Sequence, residues 1–268
     1  MNSSKQTVYL LLVVLAATAC GRVEHRVRDH MTMTVTRSWP AAGIHELDVF
    51  EIGGRISIEA APVTEISLVA TARGELEPKM GQENNGLFET KLEGDTLRIG
   101  RRNHRRERGL HIPFLFDRNE VEIDYVLKVP ATVSLDLSTV NGRIVTRGTE
   151  GMTQASSVNG SIDLETAGTR ELTATTVNGR VKAKFLKSFE GARFKSVNGG
   201  VEAILPNTAS FTVDLSQVNG DFEASFPLSV HSNPGSRRVS GEVNGGAHEL
   251  KITTVNGDVE LLRLNDSL

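Results

Sequence analysis

Apolar and polar residues alternate on both sides of a tripeptide that returns seven times. Val-Asn-Gly begins at Val140, Val158, Val177, Val197, Val218, Val243 and Val255. With each Asn counted as zero, position −4 holds Leu137, Ala155, Ala174, Phe194, Leu215 and Ile252. Position +3 holds Ile144, Ile162, Val181, Val201, Phe222, Ala247 and Val259, and position +5 includes Leu164, Ala183, Ala203, Ala224 and Leu261. The positions between are mostly polar, as at Asp136, Thr173, Asp163, Lys182 and Glu202. A period of two on each side of Asn-Gly predicts strand, corner, strand.

Two architectures carry such a pattern. Asn-Gly is the strongest two-residue hairpin signal, because both residues accept positive φ, so a plain antiparallel meander fits the parity. It explains the Val at −1 badly, since that Val would share a face with polar residues such as Arg143, Arg180, Asp221 and Asp258. In a solenoid the chain turns a corner at this point, and the Val can point inward again. The Asn spacings of 18, 19, 20 and 21 lie in the range of solenoid repeats. Asn141, Asn159, Asn178, Asn198, Asn219 and Asn256 would then stack as structural corners, each amide both donating and accepting along the axis. The expected fold is all-β, a parallel β-solenoid of single-stranded β-helix type with an irregular, strand-rich N-terminal cap. Under this scheme a charge at Val177 should disrupt more than one coil.

Two stretches modify the repeat. In 47-LDVFEIGGRISIEA-60, placing Gly53 at the Asn position puts Leu47, Val49, Ile52, Ile56 and Ile58 on the inward columns, so a further copy lies upstream. The copy at Asn244 breaks the pattern, with Arg238 and Ser240 at −6 and −4. Asn219 and Asn256 are 37 residues apart, about two periods, so residues 227–248 read as an irregular or inserted coil.

Composition adds location. The chain has 268 residues, 25 glycines, 5% aromatic residues and a net charge of −3, so bulk charge does not point to nucleic acid. Lys5 precedes an apolar run, 8-VYLLLVVLAATAC-20, that has the length of a signal peptide and is short for a bilayer span. It ends at Cys20, the single cysteine, so no intramolecular disulfide exists. Ala17-Thr18-Ala19-Cys20 resembles the lipobox of bacterial lipoproteins, with Ala17 where leucine is usual. That resemblance implies cleavage before Cys20, lipid attachment to it, and, with Gly21 following, the outer membrane. Expected divisions are a signal peptide at 1–19, lipidated Cys20 and tether at 20–42, an N-terminal coil and cap at 43–130, and the main solenoid at 131–268.

The stretch 120-EVEIDYVLKVPATVSLDLSTVNGRI-144 resembles the bacterial putative-adhesin family, a domain of unknown function. Further matches are 51-EIGGRISI-58, 201-VEAILP-206 and 241-GEVNGGAHELKITTVNGDVEL-261, so the resemblance covers about 43–263. It implies a β-solenoid in envelope or surface proteins and supplies no catalytic or ligand residues to transfer.

Chemistry is sparse in the sequence. No metalloprotease, nucleophile-elbow, phosphate-loop or dinucleotide motif is present, and the seven histidines are scattered. No catalytic residue, metal or cofactor is expected. Asn-Gly-Asp at 219–221 and 256–258 is accounted for by the corner. Carboxylates at Asp163, Glu165, Glu202, Asp221, Glu223, Asp258 and Glu260 line one expected face, with Lys182 and Lys184 interleaved. A polysaccharide-active enzyme would need a distinct acid and base among them, and Glu223→Gln would test it. The stretch 98-RIGRRNHRRERGLHIPFLFDR-118 sets Arg98, Arg101, Arg102, Arg105, Arg106 and Arg108 against Glu107, followed by an apolar run. It reads as an exposed loop or as an anion-facing patch for phosphate-rich lipid headgroups. The expected protein is a non-enzymatic, lipid-anchored envelope protein of surface or scaffold type, binding through an extended sheet face or the basic loop. Its expected partners are the membrane, through its anchor, and an anionic lipid, a glycan or an envelope protein, not nucleic acid; the alternative is a periplasm-facing component of envelope maintenance. Oligomeric state is not legible.

Overall fold

The structure, a computed structural model, describes residues 31–74, 83–101, 121–168, 171–233 and 236–264. Cys20, residues 21–30 of the tether, and Arg102, Arg105, Arg106 and Arg108 lie outside them. In chain order the first strands are β1 (Met31–Pro40), β2 (Glu46–Glu51), β3 (Ile56–Ala60), β4 (Glu65–Gly74), β5 (Glu89–Glu93), β6 (Thr96–Gly100) and β7 (Glu122–Val129). There follow β8 (Ser134–Thr139), β9 (Ile144–Thr149), β10 (Thr153–Ser157), β11 (Ile162–Thr166), β12 (Leu172–Asn178), β13 (Val181–Phe185), β14 (Ala192–Asn198) and β15 (Val201–Leu205). The last are β16 (Phe211–Asn219), β17 (Phe222–Ala224), β18 (Ser229–Asn233), β19 (Ser236–Val243), β20 (His248–Asn256) and β21 (Val259–Arg263).

These strands form two sheets that face each other over one core. One runs β1-β4-β7-β3-β9-β11-β13-β15-β21-β17, the other β18-β19-β16-β20-β14-β12-β10-β8-β2-β6-β5. Each coil gives one strand to each sheet, and neighbouring coils pair parallel and in register, as Ala155 with Ala174 and Ile162 with Val181. This is a β-solenoid, and the antiparallel meander is excluded. Among the described residues, antiparallel pairs occur only toward the ends, at β1–β4, β4–β7, β5–β6, β16–β19 and β18–β19.

The inward columns read from the sequence form the core. Leu137, Ala155, Ala174, Phe194, Leu215 and Ile252 are buried, as are Ile144, Ile162, Val181, Val201 and Val259. Leu47, Val49, Ile56 and Ile58 of the upstream copy join the same cluster. Burying each larger aliphatic side chain contributes about 1.5–3 kcal/mol, and only stacked neighbours complete that burial.

Three expectations are corrected. First, the Val at −1 is not a uniform inward column: Val140 is buried, but three later copies face outward. Val177, Val218 and Val255 are 38%, 47% and 37% exposed, while the preceding residue (Thr139, Ser157, Thr176, Ser196, Gln217 or Thr254) is buried. The alternation continues through −2 before the corner turns, so the inward residue there is polar. Val177→Asp is therefore expected to change stability by no more than about 0.5–1 kcal/mol, as surface changes do. Ala174→Asp, three residues earlier, places an unpaired carboxylate in the core and should prevent cooperative folding. Thermal melts of the two variants separate the faces.

Second, residues 227–248 are not a coil. β18 and β19 form an antiparallel hairpin laid against β16. Third, residues 31–40, expected in the tether, form strand β1, paired antiparallel with β4. The chain also does not stack its coils in sequence order. The last one, β20 with β21, is threaded between β14/β15 and β16/β17, so that Asn256 pairs with Asn198 on one side and Asn219 on the other. The upstream end shows the same habit: β6 and β7 lie outside β2 and β3 although they follow them in sequence.

Candidate functional site

Three arrangements of side chains stand out: the corner, the root of the basic insertion, and the outer face of the first sheet. The corner explains the repeat. Asn159 donates from Nδ2 to Asn141 Oδ1 at 2.9 Å, Asn178 to Asn159 at 2.7 Å and Asn198 to Asn178 at 2.8 Å. Asn256 continues to Asn198 at 2.9 Å, and Asn219 to Asn256 at 2.8 Å. An amide carries both donor and acceptor, so each rung satisfies the next; a carboxylate could accept from one neighbour but donate nothing to the other.

The glycine beside each Asn is required by space. A Cβ on Gly160 would stand 1.7 Å from the carbonyl oxygen of Gly142, and one on Gly179 2.1 Å from that of Gly160. Thr176, Ser196 and Thr254, at −2, turn their hydroxyls to the carbonyls of Gly160, Gly179 and Gly199 at 3.1, 3.3 and 3.4 Å. The corner is thus closed by backbone approach, an amide ladder and a hydroxyl row. Only the copy at Val243 uses Asn-Gly as a turn: Asn244 has φ +50 and Gly245 φ +90. Its Nδ2 donates to the carbonyls of Asn207 and Ala209 instead of joining the ladder.

The basic insertion leaves the coil made by β6 and β7, taking the place of that coil's corner. Two of the six arginines are described, and both are engaged. Arg98 pairs with Glu93 at 2.6 Å and Asp48 at 3.6 Å. Arg101 enters the interior, donating from Nε and Nη2 to Glu51 Oε1 at 3.2 and 3.0 Å, and also to the carbonyl of Val121. One guanidinium therefore ties together both ends of the insertion. Glu51 is fully buried, and it stands at −2 of the upstream copy, the inward slot that other coils fill with Thr, Ser or Gln. Burial pushes its carboxyl above the usual carboxylate value, against the pull of Arg101. Tyr125 is buried within the field of the same carboxylate, and its phenol is raised well above the usual value, first by burial and then by that charge. The sequence reading missed this pair; a glutamate in a column of hydroxyls was the available signal.

The carboxylate face is a lattice of ion pairs. Glu202 meets Lys182 at 2.9 Å and Arg180 at 3.2 Å, and Arg180 also reaches Glu260 at 3.5 Å. Asp163 accepts from Arg143 Nε at 2.6 Å, and Glu165 faces Lys184 at 4.0 Å. Asp258 accepts the backbone N–H of Asp221 at 2.9 Å, and Glu223 is exposed on β17, the last strand of its sheet. Mixed signs at neighbouring rungs hold this face in register. Among the described residues, no three His, Cys, Asp or Glu side chains converge as metal ligands would.

A comparison with curated proteins finds no match. Among solved structures, a "putative cell adhesion protein" from Clostridium sporogenes aligns with a TM-score of 0.47 and 7% identity, over 87% of this chain and 100% of that one. A "putative adhesin" from Bacteroides fragilis aligns with a TM-score of 0.37 and 10% identity, over 86% and 97%. A "putative lipid binding protein" from Parabacteroides distasonis gives 0.31 and 11%, over 87% and 97%. The family model described as Toastrack DUF4097 matches residues 40–262, most of the chain. With its two stacked sheets and repeated corners, the chain belongs to the Toastrack DUF4097 family.

Proposed function

We propose that this protein is a non-enzymatic scaffold of the cell envelope, anchored by lipid on Cys20 and standing with its N-terminal end toward the membrane. One observation carries the reading. The strand nearest the tether and the coil that bears the basic insertion lie at the same end of the solenoid. β1 begins at Met31, eleven residues after Cys20, and forms the edge of its sheet, two strands from β7. Ten extended residues reach at most about 35 Å, so an anchored Cys20 keeps this end close to lipid. Residues 102–120, with four arginines and the run Ile112-Pro113-Phe114-Leu115-Phe116, leave from there. Arginine's planar fork suits phosphate headgroups.

The arginines to test are the four beyond the root, because Arg98 and Arg101 already serve intramolecular pairs. Replacing Arg102, Arg105, Arg106 and Arg108 with serine is expected to weaken co-sedimentation with anionic vesicles at low salt by well over tenfold, at about 1 kcal/mol per basic residue near the surface. Unchanged co-sedimentation would remove the membrane-facing role of the insertion.

A further inference from the structure

The outer face of the first sheet carries a groove of about 570 Å³ where β3, β9, β11 and β13 lie side by side. A bulge shapes it. β9 and β11 pair in step as far as Thr146 and Leu164, after which Thr149 meets Thr166, so β9 holds one extra residue. Gly148, with φ +70, permits that turn of the backbone. Bulges bend a strand and re-aim its side chains, and here the exposed Arg147 stands on the bulge at the groove's side.

The charges in the groove do not cancel. Its three acids each have a cation: Glu59 has Lys128 at 3.9 Å, Asp163 has Arg143, and Glu165 has Lys184. Lys182 belongs to Glu202. Among the described residues, the guanidinium groups of Arg55 and Arg147 have no acid at ion-pair distance. Glu59 lies opposite Arg147 in the register, yet its carboxylate reaches Lys128. Val145 and Ser57 lie between the two arginines, with Val126 beyond them, 45% exposed. No aromatic side chain lines the groove, which disfavours stacked bases.

We propose that this groove binds an extended anionic glycan, with carboxylates of the sugar chain paired to Arg55 and Arg147. The inference deepens the scaffold reading and rests on it. An open trough running across parallel strands suits a chain lying along the solenoid axis. Two unpaired guanidinium groups offer bidentate pairing to carboxylates, and the small apolar floor meets the C–H faces of sugar rings.

The test is titration calorimetry of the purified full-length protein in detergent, with a linear hexamer of galacturonic acid as probe and a neutral galactose hexamer as control. The acidic hexamer should bind, more weakly as salt rises, and the neutral one should not. Arg55→Ala with Arg147→Ala should weaken binding about tenfold or more, with an unchanged melting curve. Arg147→Gln alone, on the exposed bulge, gives an independent reading and should also weaken binding. Absence of binding to the acidic hexamer, equal binding of the neutral one, or indifference to both variants overturns the proposal. If these fail while vesicle binding through residues 102–120 persists, the glycan site falls and the membrane-anchored reading stands.

Discussion

Gly179→Ala is expected to lower the melting temperature by about 6–12 °C. The added Cβ would sit 2.1 Å from the carbonyl oxygen of Gly160 and 2.7 Å from its carbon. Both are backbone atoms, so no side chain can swing aside. Relief requires the two coils to separate, which strains Asn178 Nδ2 to Asn159 Oδ1 and the bond from Thr176 to the same Gly160 carbonyl. Overpacking of this kind costs about 3 kcal/mol, and a chain of this size loses about 2–4 °C per kcal/mol. Gly179 occupies a middle coil, and a solenoid is held by nearest-neighbour contacts, so the transition should also broaden as the two halves uncouple. Gly53→Ala is the control. It stands at the Asn place of the upstream copy, and a Cβ there would make an ordinary 3.4 Å contact with Glu122 Cγ. Its melting curve should stay within a few degrees of wild type. Equal melting of both variants would contradict the close-approach account of the repeat.

Glu51→Ala is the second large effect. Removing the carboxylate leaves Arg101, 11% exposed at its side chain, without its anion among buried groups. Breaking a buried pair in this way costs about 3–5 kcal/mol. Glu51→Gln keeps an acceptor for Arg101 and should cost clearly less. The pH dependence has a definite sign. The folded-state value of Glu51 is raised, so the folded protein holds this proton more tightly than the unfolded chain does. Glu51's contribution to stability is therefore full below the usual carboxylate value of 4.5 and is lost as pH rises through its raised value. Denaturant melts across that window should show wild type losing stability relative to Glu51→Gln as pH rises. A difference that is flat with pH, or that runs the other way, would contradict the burial-dominated environment of this carboxyl. Hydrogen exchange at Val121 and Glu122 should speed up in Glu51→Ala, because Arg101 holds the Val121 carbonyl only while it is itself held.

The inward columns were legible because a strand repeats every two residues and each copy presents Leu, Ala, Phe or Val at the same offsets. The resemblance to the adhesin family rested on the same residues and carried the fold correctly. The Val column was misread because a period of two does not show where a corner adds a residue. Thr139, Ser157, Thr176, Ser196, Gln217 and Thr254 were the missed signal: a small or polar column, four of whose members (Thr176, Ser196, Gln217 and Thr254) bond to glycine carbonyls. The order of the coils was not legible at all. Each Asn rung fits any other, so nothing local tells Asn256 to lie between Asn198 and Asn219; that choice is made by pairing along the whole of β14, β16 and β20. The turn at Asn244 shows the same limit from the other side, since identical residues serve a hairpin there and a stacked corner elsewhere. Arg101 read as one charge in a basic run, although two of its hydrogen bonds go to a glutamate fifty residues earlier.

The charged face and the corner divide the work of the molecule. The corners are closed by the amide ladder and by close backbone approach. The outer sheet face presents Arg55 and Arg147, the charges on which the proposed binding rests.

The measurement that tests this account most directly is the intact mass of the mature N-terminus, taken from protein purified out of membranes of the cells that make it. The expected chain begins at Cys20, carries a diacylglyceryl thioether on Sγ with an acyl group on the new amine, and leaves the membrane fraction when Cys20→Ser is introduced. A mature chain that begins elsewhere, or that keeps a free Cys20 thiol, would contradict it.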